Sequence, residues 1–464
     1  MSQYRPLVAV VLAAGEGTRM RSGTPKVLHP LCGRPMMLHV VDALAELPLQ
    51  RIVVVVGYGA ESVTKTLQEE LVAEVTVVTV EQRVQRGTGD AVSVALTAFD
   101  DLDAEDDILV LAGDAPLVRA ETIAKLATEH RVQDAAAANL TAVVPDPQGL
   151  GRVVRDKNGA VARVVEDADA TPEERELNEI NTSIYCFRRS LLAPALRRLS
   201  PENAQGQYYL TDAIAVLRDT GHKVIALEAE DPREALMVND RAELALAEAE
   251  LRARINRAWM RAGVTMVDPA VTYIDTGVDI EPDVRLLPRT MLEGRTAIGG
   301  GSVIGPDVYL TDVIVGERVR MSSATARECE IGDDCEIGPY AYLRPGTQLA
   351  PGVKIGTYVE VKNSQIGEGT KVPHLSYVGD ADVGPDANLG ASTITANYDG
   401  TQKHRTTIGE GVHTGVHTSL VAPVEVGDGA ETGAGSVVTN DVAPGRLVKG
   451  IPARDARSVR EDEG

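Results

Sequence analysis

The chain has 464 residues, 44% of them hydrophobic and 25% charged, which indicates a globular protein of two or three domains. Its net charge of −22 argues against nucleic acid or an anionic membrane as a partner, because phosphate groups would be repelled. No apolar stretch reaches the roughly 20 residues of a membrane helix, so no membrane insertion is expected. The four cysteines form no CxxC pair, which favours reduced thiols in the cytoplasm over zinc or disulfides.

The first half of the chain alternates apolar runs with amphipathic stretches. The runs cover residues 8–14, 52–56, 75–80 and 108–112, and amphipathic stretches cover residues 60–71 and 121–130. This alternation predicts an α/β, Rossmann-like domain with a mostly parallel sheet covered by helices on both faces. Ligands of such sheets bind at the carboxyl ends of the strands.

A connecting helix is predicted over residues 240–262. Asp240 and Glu243 form an N-cap pair, and Gly263 can end the helix. Apolar residues recur between them at helical spacing, at Leu244, Leu251, Ile255 and Trp259. We therefore expect an N-terminal domain over 1–239, a linker helix over 240–263 and a C-terminal domain over 264–464.

A six-residue repeat dominates the chain after Gly263. Aliphatic residues recur every six positions at Ile280, Leu286, Leu292, Ile298, Ile304 and Leu310, at Ile331, Ile337, Leu343, Leu349, Ile355 and Val361, and, with one Thr, at Val426, Thr432 and Val438. Such a repeat places one side chain inward on each face of a triangular coil. The pattern favours a left-handed parallel β-helix over a β-sandwich with accidental spacing.

A glycine-rich loop follows the first apolar run. Gly15 and Gly17 permit a tight turn whose N–H groups point at phosphate oxygens. Arg19 and Lys26 can neutralise a triphosphate that the acidic surface would otherwise repel. The loop lacks the GKS or GKT ending of a P-loop. Alone it is weak evidence, because many turns have this composition.

A carboxylate follows the run 108–112. Asp114 stands at the predicted end of that strand, and Mg²⁺ usually takes only one or two oxygen ligands from protein. The plain alternative is a helix N-cap or turn aspartate. Together with the glycine loop, Asp114 is predicted to bind the metal.

These motifs resemble those of the sugar-nucleotide pyrophosphorylases, and residues 6–445 resemble the bifunctional N-acetylglucosamine-1-phosphate uridyltransferases/glucosamine-1-phosphate N-acetyltransferases. The resemblance implies that the nucleotide and the sugar contact Leu12, Ala13, Ala14, Gly15, Arg19, Lys26, Gln82, Gly87, Thr88, Ala112, Gly113, Asp114, Gly151, Glu166, Asn181 and Asn239. Of these, Gln82, Gly87 and Thr88 would recognise the base, and Gly151, Glu166 and Asn181 would contact the sugar. Asp114 and Asn239 would hold Mg²⁺. Relatives often carry Tyr at the position of Ala112.

The reaction implied for this N-terminal site is attack of N-acetylglucosamine 1-phosphate on the α-phosphorus of UTP, with release of pyrophosphate. This chemistry needs alignment and charge neutralisation rather than a covalent nucleophile. Lys26 and Arg19 would stabilise the charge on the transferring and leaving groups.

A second group of polar residues interrupts the hexads. His374 is accompanied there by Arg344, Lys362 and Tyr377, whereas a lone histidine is more often a satisfied surface or core residue. We interpret His404, His413 and His417 in that ordinary way.

This group resembles the acetyltransferase domain of the same family. The resemblance implies that His374 is the general base for glucosamine 1-phosphate, which contacts Arg344, Lys362, Tyr377 and Asn388. Acetyl-CoA would contact Ala391, Asn397, Tyr398, Val416 and Ala434, with Lys403 near its phosphates and the Asn397 amide or a backbone N–H at the oxyanion.

Two positions depart from that family. Val416 stands where Ser is usual, and Ile451 where Arg is common, although Lys449 could supply the charge. The family also implies a homotrimer with active sites between subunits.

Two alternatives remain: a pyrophosphorylase whose β-helix only regulates or oligomerises, and a non-catalytic scaffold. Residues 461–463 are expected to form a solvated tail.

Overall fold

The structure is a computed structural model that describes residues 5–71, 75–99 and 106–458. It divides into two compact units, Met1–Leu251 and Arg252–Gly464. The division falls inside the helix predicted over 240–262, so the proposed domain limits at 239 and 264 stay a prediction. The acidic tail 461–463 lies outside the described residues.

The N-terminal unit is an α/β domain. Its strands are β1 (Leu7–Ala13), β2 (Pro30–Leu31), β3 (Arg34–Pro35), β4 (Ile52–Val56), β5 (Val77–Glu81), β6 (Asp107–Ala112), β7 (Ala137–Val143), β8 (Arg152–Arg155), β9 (Val161–Val165), β10 (Glu179–Arg188) and β11 (Val224–Glu228). Its helices are α1 (Met36–Ala45), α2 (Ala60–Glu70), α3 (Thr88–Leu96), α4 (Ala120–Val132), α5 (Pro172–Arg175), α6 (Arg189–Leu196) and α7 (Asp212–Asp219).

The central sheet has the strand order β11-β7-β10-β6-β1-β4-β5, with β8 paired to β10 and β9. The pairs β1–β6, β1–β4, β4–β5 and β11–β7 are parallel, which confirms the mostly parallel sheet. The strand β10 runs antiparallel to both β6 and β7. The antiparallel direction of β10 was not predicted, because a buried apolar run has the same pattern in either direction.

Both faces of this sheet are covered, as predicted. Along β1, Leu7, Ala9 and Val11 enter one apolar cluster, and Val8 and Val10 enter the other. Successive side chains of a strand point to opposite faces, so a strand buried on both faces is a continuous apolar run.

The helix α8 (Arg241–Arg261) confirms the helix predicted over 240–262. In the N-terminal unit, Leu244 and Leu251 pack against a small apolar cluster. In the C-terminal unit, Ile255 and Trp259 pack against the core. Among the described residues, no helix is long and apolar enough to cross a membrane.

The C-terminal unit consists of short strands. They are β12 (Thr265–Met266), β13 (Tyr273–Ile274), β14 (Asp279–Ile280), β15 (Arg285–Leu286), β16 (Thr290–Glu293), β17 (Ala297–Ile298), β18 (Val303–Ile304), β19 (Val308–Val315), β20 (Arg320–Met321), β21 (Thr325–Ile331), β22 (Glu336–Ile337), β23 (Tyr342–Leu343), β24 (Gln348–Leu349), β25 (Lys354–Thr357), β26 (Glu360–Lys362), β27 (Gln365–Ile366), β28 (Lys371–His374), β29 (Tyr377–Gly379), β30 (Ala381–Val383), β31 (Asn388–Leu389), β32 (Ile394–Ala396), β33 (Thr406–Ile408), β34 (His413–Thr414), β35 (Ser419–Val421), β36 (Val424–Val426), β37 (Glu431–Thr432), β38 (Val437–Val438), β39 (Arg446–Gly450) and β40 (Ala453–Ser458).

These strands form the left-handed parallel β-helix predicted from the hexads. Register partners such as Arg285 and Val303 lie 18 residues apart, so three hexads complete one coil. Every hexad residue named above is buried in the core. The end of the solenoid differs, since β39 and β40 form an antiparallel hairpin.

Candidate active sites

The glycine loop lies at the carboxyl end of β1. Gly17 has φ of 66°, and a Cβ there would lie 2.6 Å from the Cβ of Lys26. A larger residue would therefore displace Lys26 and strain the backbone. The neighbouring strand end is tied to β1, because the N–H of Gly113 donates to the Leu12 carbonyl at 2.9 Å.

Four predicted nucleotide-site residues converge in the N-terminal unit. The Lys26 ammonium forms an ion pair with the Asp114 carboxylate. It also donates to Oδ1 of Asn239 at 3.1 Å, and the Arg19 guanidinium donates to the same oxygen at 2.9 Å. Asp114 and Asn239, the predicted metal pair, thus both contact the Lys26 ammonium.

The backbone brings Asn239 to Asp114 across 125 residues of sequence. The N–H of Val238 donates to the Asp114 carbonyl at 2.9 Å. The N–H of Asn239 donates to the Glu243 carboxylate at 2.6 Å, and Asp240 caps the Glu243 N–H at 2.9 Å. The N-cap pair recognised in the sequence therefore also fixes a predicted metal ligand.

The predicted base-recognition residues lie around the start of α3. Gln82 is buried, and its amide nitrogen donates to Asp90 at 2.8 Å and to the Gly87 carbonyl at 3.2 Å. The Thr88 hydroxyl accepts from the N–H of Leu210 at 2.9 Å. Gly87 has φ of 110°, a backbone conformation that favours glycine.

The predicted sugar contacts form one cluster. The N–H of Asn181 donates to the Gly151 carbonyl at 2.8 Å, and a Cβ on Gly151 would lie 3.5 Å from the Glu166 carboxylate. Burial raises the pKa of Glu166, whose carboxylate accepts from the Thr211 hydroxyl at 3.0 Å. No motif or spacing in the sequence pointed to Thr211.

A buried carboxylate organises the second group, in the C-terminal unit. Asp380 accepts from the Asn363 amide at 2.6 Å and the Asn397 amide at 2.5 Å, and lies 3.5 Å from the Lys362 ammonium. Burial opposes ionisation of Asp380, but the Asn363 and Asn397 hydrogen bonds keep its pKa below the usual value. Sequence reasoning missed Asp380, because it lies in an ordinary hexad turn.

Further cations adjoin this cluster. Arg344 pairs with Glu360 at 2.7 Å, a hydrogen bond that raises the pKa of Arg344. The Lys362 ammonium lowers the pKa of Lys403, which places Lys403 beside the predicted sugar-phosphate residues. Two adjacent ammonium groups repel one another, and an anion between them would relieve that repulsion.

Three of the predicted acetyl-CoA residues, Ala391, Val416 and Ala434, lie in register with His374, and we call these four residues the ladder. The N–H of Ser392 donates to the His374 carbonyl, that of His417 to Ala391, and that of Gly435 to Val416. His374, Ala391, Val416 and Ala434 therefore occupy one corner on successive coils. At about 4.8 Å per coil, Ala434 lies about 14 Å along the solenoid from His374.

Tyr377, Asn388, Tyr398 and Ile451 are the other positions considered for acetyl transfer in the sequence. The Tyr377 hydroxyl accepts from the Asn397 amide at 3.3 Å, so this amide nitrogen is already engaged. Asn388 and Tyr398 are exposed. Ile451 is 78% exposed at the turn of the β39–β40 hairpin.

The fold and the two clusters define a nucleotidyltransferase joined to a hexapeptide-repeat transferase. Residues 9–215 match the family model of the MobA-like NTP transferase domain. Residues 328–363 match that of the bacterial transferase hexapeptide, six repeats.

The chain belongs to the family of the bifunctional GlmU proteins. It is 53% identical over 449 residues to the Bifunctional protein GlmU of Thermobifida fusca, covering 96% of this chain and 92% of that protein. It is 48% identical to that of Brevibacillus brevis (95% and 94% covered) and 48% identical to that of Mycobacterium bovis (94% and 88% covered).

This membership confirms the predicted family and its two activities, uridylyltransferase and glucosamine-1-phosphate acetyltransferase, which together make UDP-N-acetylglucosamine. Nucleotide and sugar phosphates are accordingly substrates, and acetyl-CoA is the acetyl donor.

Proposed function

We propose that the two activities reside in the two residue clusters described above, one in each unit. The cluster of Lys26, Arg19, Asp114 and Asn239 carries uridylyl transfer, and the groups around His374 and Asp380 carry acetyl transfer. The observation that supports this assignment most directly is the convergence of Asp114 and Asn239, far apart in sequence, on the Lys26 ammonium.

In the N-terminal unit, the N–H groups after β1 and the Lys26 and Arg19 cations bind the triphosphate of UTP. Glu166 and Asn181 orient N-acetylglucosamine 1-phosphate, whose phosphate oxygen attacks the α-phosphorus while pyrophosphate leaves. The buried Gln82 fixes the turn that faces the base.

Asp114 and Asn239 are the residues that would hold Mg²⁺. Their carboxylate and amide oxygens are hard ligands, and both contact one cation, the Lys26 ammonium, so they suit a small divalent ion. Bound Mg²⁺ supplies neutralisation of the phosphate charge. Lys26 then leaves the carboxylate and turns to the phosphates.

In the C-terminal unit, Arg344 and Lys362 bind the phosphate of glucosamine 1-phosphate. Lys403, expected near the phosphates of acetyl-CoA, adjoins Lys362 and adds positive charge there. The imidazole of His374 takes a proton from the attacking amine. Because the Asn397 amide is engaged by Asp380 and Tyr377, a backbone N–H is the better candidate for the oxyanion. Acetyl-CoA lies along the ladder from His374 toward Ala434.

A homotrimer is the proposed assembly. Tyr340, Tyr358 and Leu375 project from one corner of successive coils and are 60%, 58% and 57% exposed. The two tyrosine rings stack at 5.2 Å. Exposed large apolar groups at positive φ, 61°, 56° and 50°, are costly unless another surface covers them, and we propose that a second copy of the chain does so.

The cytoplasm is the proposed location. Cys32, Cys186, Cys329 and Cys335 are buried and form no disulfide. Reduced thiols suit a reducing compartment.

The matched pair Asp114→Asn and His374→Ala tests the assignment. We expect Asp114→Asn to lose pyrophosphate release and keep acetyl transfer, and His374→Ala to do the reverse. Loss of both activities in either folded variant would contradict separate sites.

Tyr358→Glu should lower the sedimentation coefficient if the apolar corner lies between subunits.

A further inference from the structure

A polar column runs through Asn388, a residue predicted to contact the acetyl acceptor, and its other members have no assigned role. It contains Lys371, Asn388, His413 and Glu431, which are consecutive register partners on β28, β31, β34 and β37. We call these four residues the Asn388 column. Neighbouring parallel strands lie about 4.8 Å apart, so His413 stands one strand from Asn388.

The column faces outward. Lys371, Asn388 and His413 are exposed, whereas the residues that follow the last two, Leu389 and Thr414, are buried. Successive residues of a strand point to opposite faces, and register partners share a face, so the imidazole of His413 and the amide of Asn388 project from the same surface. A ligand bound to Asn388 would therefore have His413 as its neighbour on the next coil toward the C-terminus of the chain.

The His413 ring is held in one tautomer. Its Nδ1 lies 3.0 Å from the Gly411 carbonyl oxygen, which can only accept, so Nδ1 carries the proton in the neutral ring. Nε2 is then a hydrogen-bond acceptor. Among residues 5–71, 75–99 and 106–458, no hydrogen bond engages this Nε2.

His413 also lies near the proposed donor path. Val416, a ladder residue, lies three positions after His413. Along the ladder, Val416 is one coil beyond Ala391. Asn388 precedes Ala391 by the same three positions. Asn388 and His413 therefore have the same position relative to the ladder, and His413 lies one coil later. This repeat puts the imidazole one coil beyond the proposed sugar position and three residues before the ladder.

We propose that His413 is a positioning residue for the acetyl acceptor, an amino-sugar phosphate, and that its Nε2 accepts a hydrogen bond from a sugar hydroxyl. The inference rests on the proposed function, because it takes the sugar to lie at Asn388. The hydrogen bond fixes the sugar so that its amine faces His374. His413 itself moves no proton.

Steady-state acetyl transfer by the full chain tests this role. His413→Ala should raise KM for glucosamine 1-phosphate about three- to tenfold, the effect of one neutral hydrogen bond. KM for acetyl-CoA and kcat at saturation should change by less than about twofold. His413→Gln, which can keep an acceptor near Nε2, should restore most of the affinity, and His413→Phe should not.

His222→Ala is the matched control, since His222 is an exposed histidine of the N-terminal unit. Unchanged KM for glucosamine 1-phosphate in His413→Ala would overturn the inference. So would a rise confined to KM for acetyl-CoA, or subunit dissociation seen by sedimentation. Asn388→Ala separates the two claims: if it and His374→Ala both keep full acetyl transfer, the proposed function itself fails.

Discussion

The Lys26 ammonium forms an ion pair with the Asp114 carboxylate and also donates to Asn239 at 3.1 Å. The side chain proposed to stabilise the phosphates thus occupies the position proposed for the metal. Because two cations at one carboxylate repel one another, binding of a divalent ion would favour movement of Lys26 away from Asp114. The nucleotide phosphates offer it a new partner.

Replacing Lys26 with Met should separate these two roles. We expect uridylyl transfer to fall by about 100-fold or more, since one preorganised cation at a phosphate is lost. Without nucleotide, Mn²⁺ should bind more tightly to Lys26→Met than to the wild type, because no internal cation competes for Asp114. Electron paramagnetic resonance of free Mn²⁺ measures this, and equal affinities would refute the competition.

Replacing His374 with Gln should lower acetyl transfer by about 100- to 10,000-fold, the usual contribution of a general base. The uridylyl reaction should keep its wild-type rate, since His374 belongs to the C-terminal unit. Release of free CoA thiol, followed with a thiol reagent, gives the rate. An active variant would remove His374 from the proposed role.

Asp380→Asn should weaken binding of glucosamine 1-phosphate. An amide in place of the carboxylate cannot accept from both Asn363 and Asn397, and the Lys362 ammonium loses its counter-charge. We expect KM for this substrate to rise by about tenfold, with KM for UTP unchanged. A variant with wild-type KM would show that the buried carboxylate does not hold the phosphate-binding cations in place.

Much of the fold and less of the sites could be predicted from the sequence. The hexads fixed which side chains fill the solenoid, because each coil uses three of them. The pairing of Asp114 with Asn239 came only from a family resemblance, since no spacing rule links residues 125 apart. The structure supplies the link, through Val238 and the N-cap of α8.

Asp380 illustrates what pattern reading misses. It occupies a turn position with φ of 50°, where Asp is common for local reasons. Lys403 was expected near the phosphates of acetyl-CoA from the family resemblance alone, and its neighbour Lys362 is set by tertiary contacts. The hairpin β39–β40 escaped prediction because it follows the last hexads and reverses direction.

The stability of the N-terminal unit should depend on His130. Burial lowers the pKa of His130 to about 4, whereas an unfolded histidine titrates near 6.5. The unfolded chain therefore binds more protons between these values, so this contribution is present above pH 6.5 and is lost as pH falls toward 4. The loss amounts to at most about 3 kcal/mol.

His130→Gln should consequently flatten the fall in the first unfolding midpoint between pH 7 and 5, even if the variant is less stable overall. Thermal unfolding of the full chain at several pH values measures the slope. His222→Gln, at an exposed site, is the control and should keep the wild-type slope. An identical slope in His130→Gln would contradict the buried neutral state.

The central claim is that separate groups perform the two transfers and that only the N-terminal group needs a metal. A paired assay of the purified full chain tests it most directly: acetyl-CoA with glucosamine 1-phosphate, and UTP with N-acetylglucosamine 1-phosphate, each with Mg²⁺ and with a chelator. We predict that chelation stops pyrophosphate release and leaves CoA release unchanged. Chelation that stops both reactions, or neither, would contradict the account.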